Sequence, residues 1–196
     1  MEKTKIKENY YVFLDIDGTL WDAKYAYNIY GNGFNYIIDP RLKKDSIEAV
    51  NLLLRSLEGK FNTQLVITSK RREYMNECIK YLQKYGLEYE KPMICLPFGS
   101  TLRGSRIIGY MQDQNEKPEH LGRPQNLLSK LLNALIIKGS LKYVVLEDEY
   151  EIIKHSVPSR RLIFSDHNRQ SVTTKQVKHY LKTNNIPILE KNKTFE

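Results

Sequence analysis

The sequence predicts an α/β protein: a doubly wound parallel sheet of about five strands with helices on both faces. Three observations carry this. Five short apolar runs, at residues 11–14, 64–67, 93–96, 143–146 and 162–164, are continuous rather than alternating, as strands covered on both faces should be. Helical patterns separate them, and that alternation is the mark of parallel strands joined by crossovers. Polar clusters directly follow three of the runs, at the carboxyl ends where such sheets place their ligands.

Each element has its own justification along the chain. The first run leads straight into Asp15-Ile16-Asp17-Gly18-Thr19. Residues 21–44 hold a small flap, because two partly alternating runs within 25–38 flank Gly31-Asn32-Gly33 and read as a β-hairpin. A helix over 46–57 follows from Ile47, Val50, Leu53, Leu54 and Leu57 at 3–4 spacing, with Asp45 or Ser46 available as N-cap. The second strand ends in Thr68-Ser69, and a helix over 73–85 stops at Gly86, a typical left-handed terminus. After the third strand, residues 98–124 are rich in Gly, Pro and Gln without clear periodicity. They read as a long loop with a short hairpin around 106–111, and loops of that length are often functional. A helix over 125–137 is closed by Lys138-Gly139, and the fourth strand runs into Glu147-Asp148. A short helix over 150–155 and the fifth strand precede a last helix over 173–183, opened by the capping-box pair Thr173 and Gln176. The C-terminal helix and tail occupy 171–196.

At 196 residues the chain reads as a single domain over 1–196, large enough for a real core. The N-terminal MEKTKIKENY is charged throughout and lacks the apolar segment of a secretory signal, and no run approaches a membrane span. The expected location is the cytoplasm, without membrane partners. Cys78 and Cys95 read as buried thiols in a reducing compartment, with a structural disulfide as the alternative. The four histidines lack zinc-ligand spacing. The net charge of +8 suits polyanionic partners or, equally, a lysine-rich solvated surface.

The first loop poses a chemical question. Burying an unpartnered carboxylate is costly, and two adjacent ones repel. A metal ion together with a phosphoryl substrate would hold them. Extended backbone puts residues i and i+2 on one side, so Asp15 and Asp17 can face one substrate while Ile16 points into the core. Gly18 permits a turn that a β-carbon would hinder, and Thr19 offers a hydroxyl to tie the loop down.

Asp15, Asp17, Gly18, Thr19 and Leu20 match Asp-x-Asp-Gly-Thr-Leu, and the segment resembles the first motif of the haloacid dehalogenase superfamily of phosphohydrolases. The resemblance covers roughly residues 10–164 and implies a HAD-like Rossmannoid fold. It implies that Asp15 attacks phosphorus to form an aspartyl-phosphate, and that Asp17 acts first as acid and then as base. Mg2+ would be bound by Asp15 and the backbone carbonyl of Asp17.

The second motif of the family, an apolar strand ending in Ser or Thr, is met by "LVITSK". Thr68 is the better match and Ser69 the fallback. The third, a lysine, corresponds to Lys130 in "NLLSKLLNAL", with an exposed helix lysine as the competing reading. The fourth normally supplies aspartates after the fourth strand. "YVVLEDEYE" offers Asp148 as metal ligand, then Glu147, then Glu151.

The flap is too short for a helical cap, so the resemblance implies a capless enzyme with an open site and no large cap domain. Such a site suits large substrates. Lys70, Arg71 and Arg72 directly follow the second motif and would contact the substrate. Flap aromatics Tyr25, Tyr27, Tyr30, Phe34 and Tyr36 would stack bases, or simply pack the hairpin onto the domain. Polynucleotide ends or nucleotides are the expected substrates. The alternatives are a phosphoprotein, a small phosphorylated metabolite, or a non-catalytic binding module of the same fold. Water accepts the phosphoryl group in a phosphatase and another acceptor does so in a phosphotransferase; the sequence fits both.

Overall fold

The computed structural model describes residues 7–16, 18–20, 44–69, 75–96, 103–115, 142–149, 153, 156–165 and 171–191. Its centre is a five-stranded sheet, all parallel: β1 (Asn9–Leu14), β2 (Asn62–Ile67), β3 (Ile94–Cys95), β4 (Tyr143–Glu147) and β5 (Leu162–Phe164). The order is β3-β2-β1-β4-β5. The chain builds outward from β1 to β3 on one side and resumes at β4 on the other. β1 and β4 therefore flank the point where the strand order reverses, and there a parallel α/β sheet opens its ligand crevice.

Side chains alternate across the sheet and sort the core into two halves. Tyr10, Val12, Leu14, Leu65, Ile67, Val144 and Leu146 face one half, which includes residues of α1 (Lys44–Glu58), α2 (Met75–Lys84) and α4 (Thr174–Thr183). Tyr11, Phe13, Val66, Tyr143 and Val145 face the other, against Ile107 and Met111 of α3 (Arg103–Asn115). Helices thus cover both faces, as expected. Edge strand β3 is only half-buried, and Cys95 with it, rather than buried as the sequence suggested. The side chain of Cys78 lies outside the described residues.

The element ends follow local chemistry. Gly86 adopts φ +97° after α2. Leu87 N–H donates to Leu82 O and Gly86 N–H to Gln83 O, both at 3.0 Å, the paired bonds of a left-handed helix stop. Thr173 caps α4 in the expected box, accepting from Gln176 N–H while the Gln176 side chain accepts from Thr173 N–H. At α1 the helix begins at Lys44, so Asp45 and Ser46 lie inside its first turn rather than capping it. Asp45 instead accepts a hydrogen bond from the Thr174 hydroxyl, tying α1 to α4. A 3-10 turn, Ser159–Arg161, leads into β5.

The largest departure is α3. Thirteen residues of the expected long loop, including the expected hairpin around 106–111, form a helix. Ile107 and Met111 repeat at i, i+4 and are fully buried, and that burial outweighs the helix-weakening effect of Gly104 and Gly109. The flap at 21–44 up to residue 43, the helix over 125–137 and, apart from Ile153, the short helix over 150–155 lie outside the described residues. No described helix is long and apolar enough to cross a membrane.

Candidate metal centre at the switch point

The sheet's hydrogen bonding continues one residue past its strands. Asp15 N–H donates to Leu146 O at 3.0 Å, Thr68 N–H to Leu14 O at 2.9 Å, and Ser165 N–H to Glu147 O at 3.0 Å. Thr68, Asp15 and Glu147 therefore form one row across the carboxyl rim. By alternation all three belong to the face that α3 covers. Arg103 is the first residue of that helix.

Arg103 joins the row through one nitrogen. Its Nη1 lies 2.5 Å from both Glu147 carboxylate oxygens and 3.1 Å from Asp15 Oδ1. Glu147 Oε1 also accepts from the backbone N–H groups of Asp148 at 3.2 Å and Glu149 at 3.3 Å. Carboxylate oxygens of Asp15, Glu147 and Asp148 all lie within 4.8 Å of one another. Asp15, Glu147, Asp148 and Arg103 are 2%, 0%, 4% and 5% exposed, so their charges depend on protein groups rather than on bulk water.

Among the described residues, three carboxyl groups meet one guanidinium in a poorly screened place. Burial lowers the proton affinity of Arg103, but the charges of Asp15 and Glu147 outweigh it and hold the guanidinium protonated. Burial pushes the Glu147 carboxyl up to about 7, against the lowering pull of Arg103 and with a further push from Asp148. Three clustered carboxyl groups offering only oxygen donors suit a hard divalent cation such as magnesium, so this donor set fits the expected ion.

The first loop is shaped around Asp148. Gly18 has φ +75°, and a β-carbon built on it would lie 1.9 Å from Asp148 Oδ2, so glycine is required on both counts. Ser165 Oγ donates to Gly18 O at 3.2 Å, and Val172 N–H donates to Thr19 O at 2.9 Å. The loop is thereby fastened to the end of β5 and to the approach to α4. Ile16 is fully buried in the core, as the alternation required. The Thr19 hydroxyl has no hydrogen-bond partner among the described residues, where the backbone carbonyl of Thr19 ties the loop down. The Thr68 hydroxyl is likewise fully buried and has no partner among the described residues. Leaving such a group unsatisfied costs about 1–3 kcal/mol.

Of the residues singled out in the sequence, Asp15, Glu147 and Asp148 come together, and Thr68 and Ser69 lie buried at the same rim. Asp17, Lys70, Arg71, Arg72, Lys130 and Glu151 lie outside the described residues. Arg103 was not singled out. The i, i+4 pair Ile107 and Met111 marks its helix, but no local signal separates Arg103 from the other basic residues of a chain holding 31. Compared with protein-family models, curated proteins and solved structures, the chain shows no match.

Proposed function

We propose that this protein is a magnesium-dependent phosphohydrolase of the haloacid dehalogenase type, acting through Asp15. The observation that supports it is the meeting of Asp15 with Glu147, Asp148 and Arg103 at the switch point of a parallel sheet. A sequence motif that resembles the nucleophile loop of the family begins with the carboxylate that this cluster surrounds. The finer HAD-like assignment of the sheet, the hairpin flap and the absence of a large cap belong to the same proposal.

In this reading an Asp15 oxygen attacks phosphorus and the bond to the leaving oxygen breaks. Asp17, carried here by the sequence motif, gives that oxygen its proton. Water then attacks phosphorus, passes a proton to Asp17 and frees Asp15 and inorganic phosphate. Arg103 supplies fixed positive charge beside the nucleophile, the part the resemblance gives to Lys130. The Thr68 hydroxyl, with no partner among the described residues, donates to a phosphoryl oxygen. Magnesium held by Asp15 and Asp148, with Glu147 available, would offset the charge of a substrate dianion. The favoured substrates are polynucleotide ends or nucleotides, in keeping with the charge of +8; phosphoproteins and small metabolites are the rivals.

The test is phosphate release from an aryl phosphate with magnesium, followed by a screen of 3′- and 5′-phosphorylated oligonucleotides, nucleotides, phosphopeptides and sugar phosphates. Asp15→Asn should abolish turnover with the fold intact, because an amide cannot be the anionic nucleophile. Thr68→Val should keep the fold, having no hydrogen bond to lose among the described residues, while lowering kcat. Turnover that survives in Asp15→Asn rejects the mechanism. A protein inert toward every phosphate ester would leave the cluster as a buried ion-pair network, the binding-module alternative.

A further inference from the structure

A second basic feature lies away from the carboxylates. Along the outer side of edge strand β5, between the 3-10 turn and α4, runs a groove of about 530 Å³. Arg160, Lys175 and His179 line it, and none of its described lining residues is acidic. All three are exposed, and neither Arg160 nor Lys175 makes an ion pair with another described residue. By contrast, Lys178 on the same helix is paired with Glu190 at 2.7 Å. Lys175 and His179 stand one helical turn apart, about 5–6 Å between β-carbons, comparable to successive phosphates of an extended strand. Leu162 and Phe164, both half-buried, add apolar surface to the same groove.

The groove adjoins the metal centre. Phe164 pairs with Glu147 in the β4–β5 register, and its neighbour Ser165 donates to Gly18 O. Thr173, also in the lining, follows Val172, whose N–H holds Thr19 O. β5 is two strands from β1, or about 10 Å across the sheet. α4 extends the other way for about 15 Å.

We propose that this groove binds a single-stranded polynucleotide and leads its end toward the carboxyl rim. Arg160 and Lys175 meet the phosphates, and the apolar surface of Leu162 and Phe164 meets bases that only a single strand exposes. The destination of the strand rests on the phosphohydrolase reading; its binding does not.

The experiment therefore reads binding without turnover. A fluorescein-labelled, unphosphorylated oligothymidylate is titrated with the full chain, and anisotropy is followed from low to physiological salt. Arg160→Glu with Lys175→Glu should weaken binding at least tenfold. The slope of log affinity against log salt should become shallower by about 1.4, because two phosphates of the single strand are no longer neutralised. The control, Lys80→Glu with Lys84→Glu on α2, makes the same change in net charge on exposed residues of another helix, and should weaken binding far less. Equal losses in the two double variants would overturn the groove in favour of diffuse charge. So would unchanged binding in the groove variant, no binding by the unaltered protein, or equal displacement of the oligonucleotide by polyglutamate at matched charge. A protein that binds through the groove but releases no phosphate would keep this proposal and reject the phosphohydrolase.

Discussion

One guanidinium nitrogen of Arg103 meets both Asp15 and Glu147, with Asp148 beside them, and all four groups are buried. Removing Arg103 leaves Glu147 with two backbone N–H groups and no cation in contact among the described residues. Losing one partner of a buried ion pair typically costs about 3–5 kcal/mol, because the other charge stays behind uncompensated. Arg103→Ala should therefore lose stability of that order in urea unfolding with chelator present, and magnesium should restore part of it. An unfolding midpoint unchanged from the unaltered protein would mean that the pair carries no net energy. The acids of this cluster were legible in the sequence because each directly follows an apolar strand, where fold topology forces convergence. Arg103 was not, because it reaches the cluster from a different crossover, and its partner Glu147 is 44 residues away.

At the scale of elements, glycine misled and glycine informed. Gly104 and Gly109, with the flanking prolines, made residues 98–124 read as loop, yet α3 spans Arg103–Asn115 because its apolar stripe packs on Phe13 and Val145. Local propensity is a weak prior, and tertiary burial overrode it here. Gly86 was read correctly because its signal is purely local, a positive φ just past a helix. The two glycines Gly86 and Gly109 yield opposite predictions, although a β-carbon at either would meet nothing within 4 Å. Gly109→Ala should stabilise the protein by about 0.5–1 kcal/mol, since the helix already holds an alanine-compatible conformation and the unfolded chain loses freedom. Gly86→Ala should destabilise it by about 1–2 kcal/mol, the cost of a left-handed residue with a β-carbon. Chemical denaturation with a constant m-value checks both; two shifts of the same sign would show that local crowding, not backbone conformation, governs these sites.

At the scale of the molecule, all five strands were legible because both faces of the sheet are covered and each strand is a continuous apolar run. Their order was less so, since it depends on which crossover packs where. The pairing of β1 with β4, which creates the crevice, appears only in three dimensions. The same pairing links the candidate centre to global stability. β1 and β4 form the middle of the sheet, and their carboxylates repel one another in the folded state alone, because the unfolded chain separates Asp15 from Glu147 and Asp148. A divalent cation bound there favours the folded state by RT ln(1 + [L]/Kd), about 2.7 kcal/mol at one hundred times Kd, or a Tm rise of roughly 5–10 °C for a chain of this length. Thermal unfolding across a magnesium titration should show that rise, saturating with concentration and reversed by chelator. Asp148→Asn should abolish most of it, since it replaces an anionic carboxylate donor by a neutral amide. An equal rise in the Asp148→Asn protein would place the stabilising ion elsewhere, and no rise in either would remove magnesium from this centre.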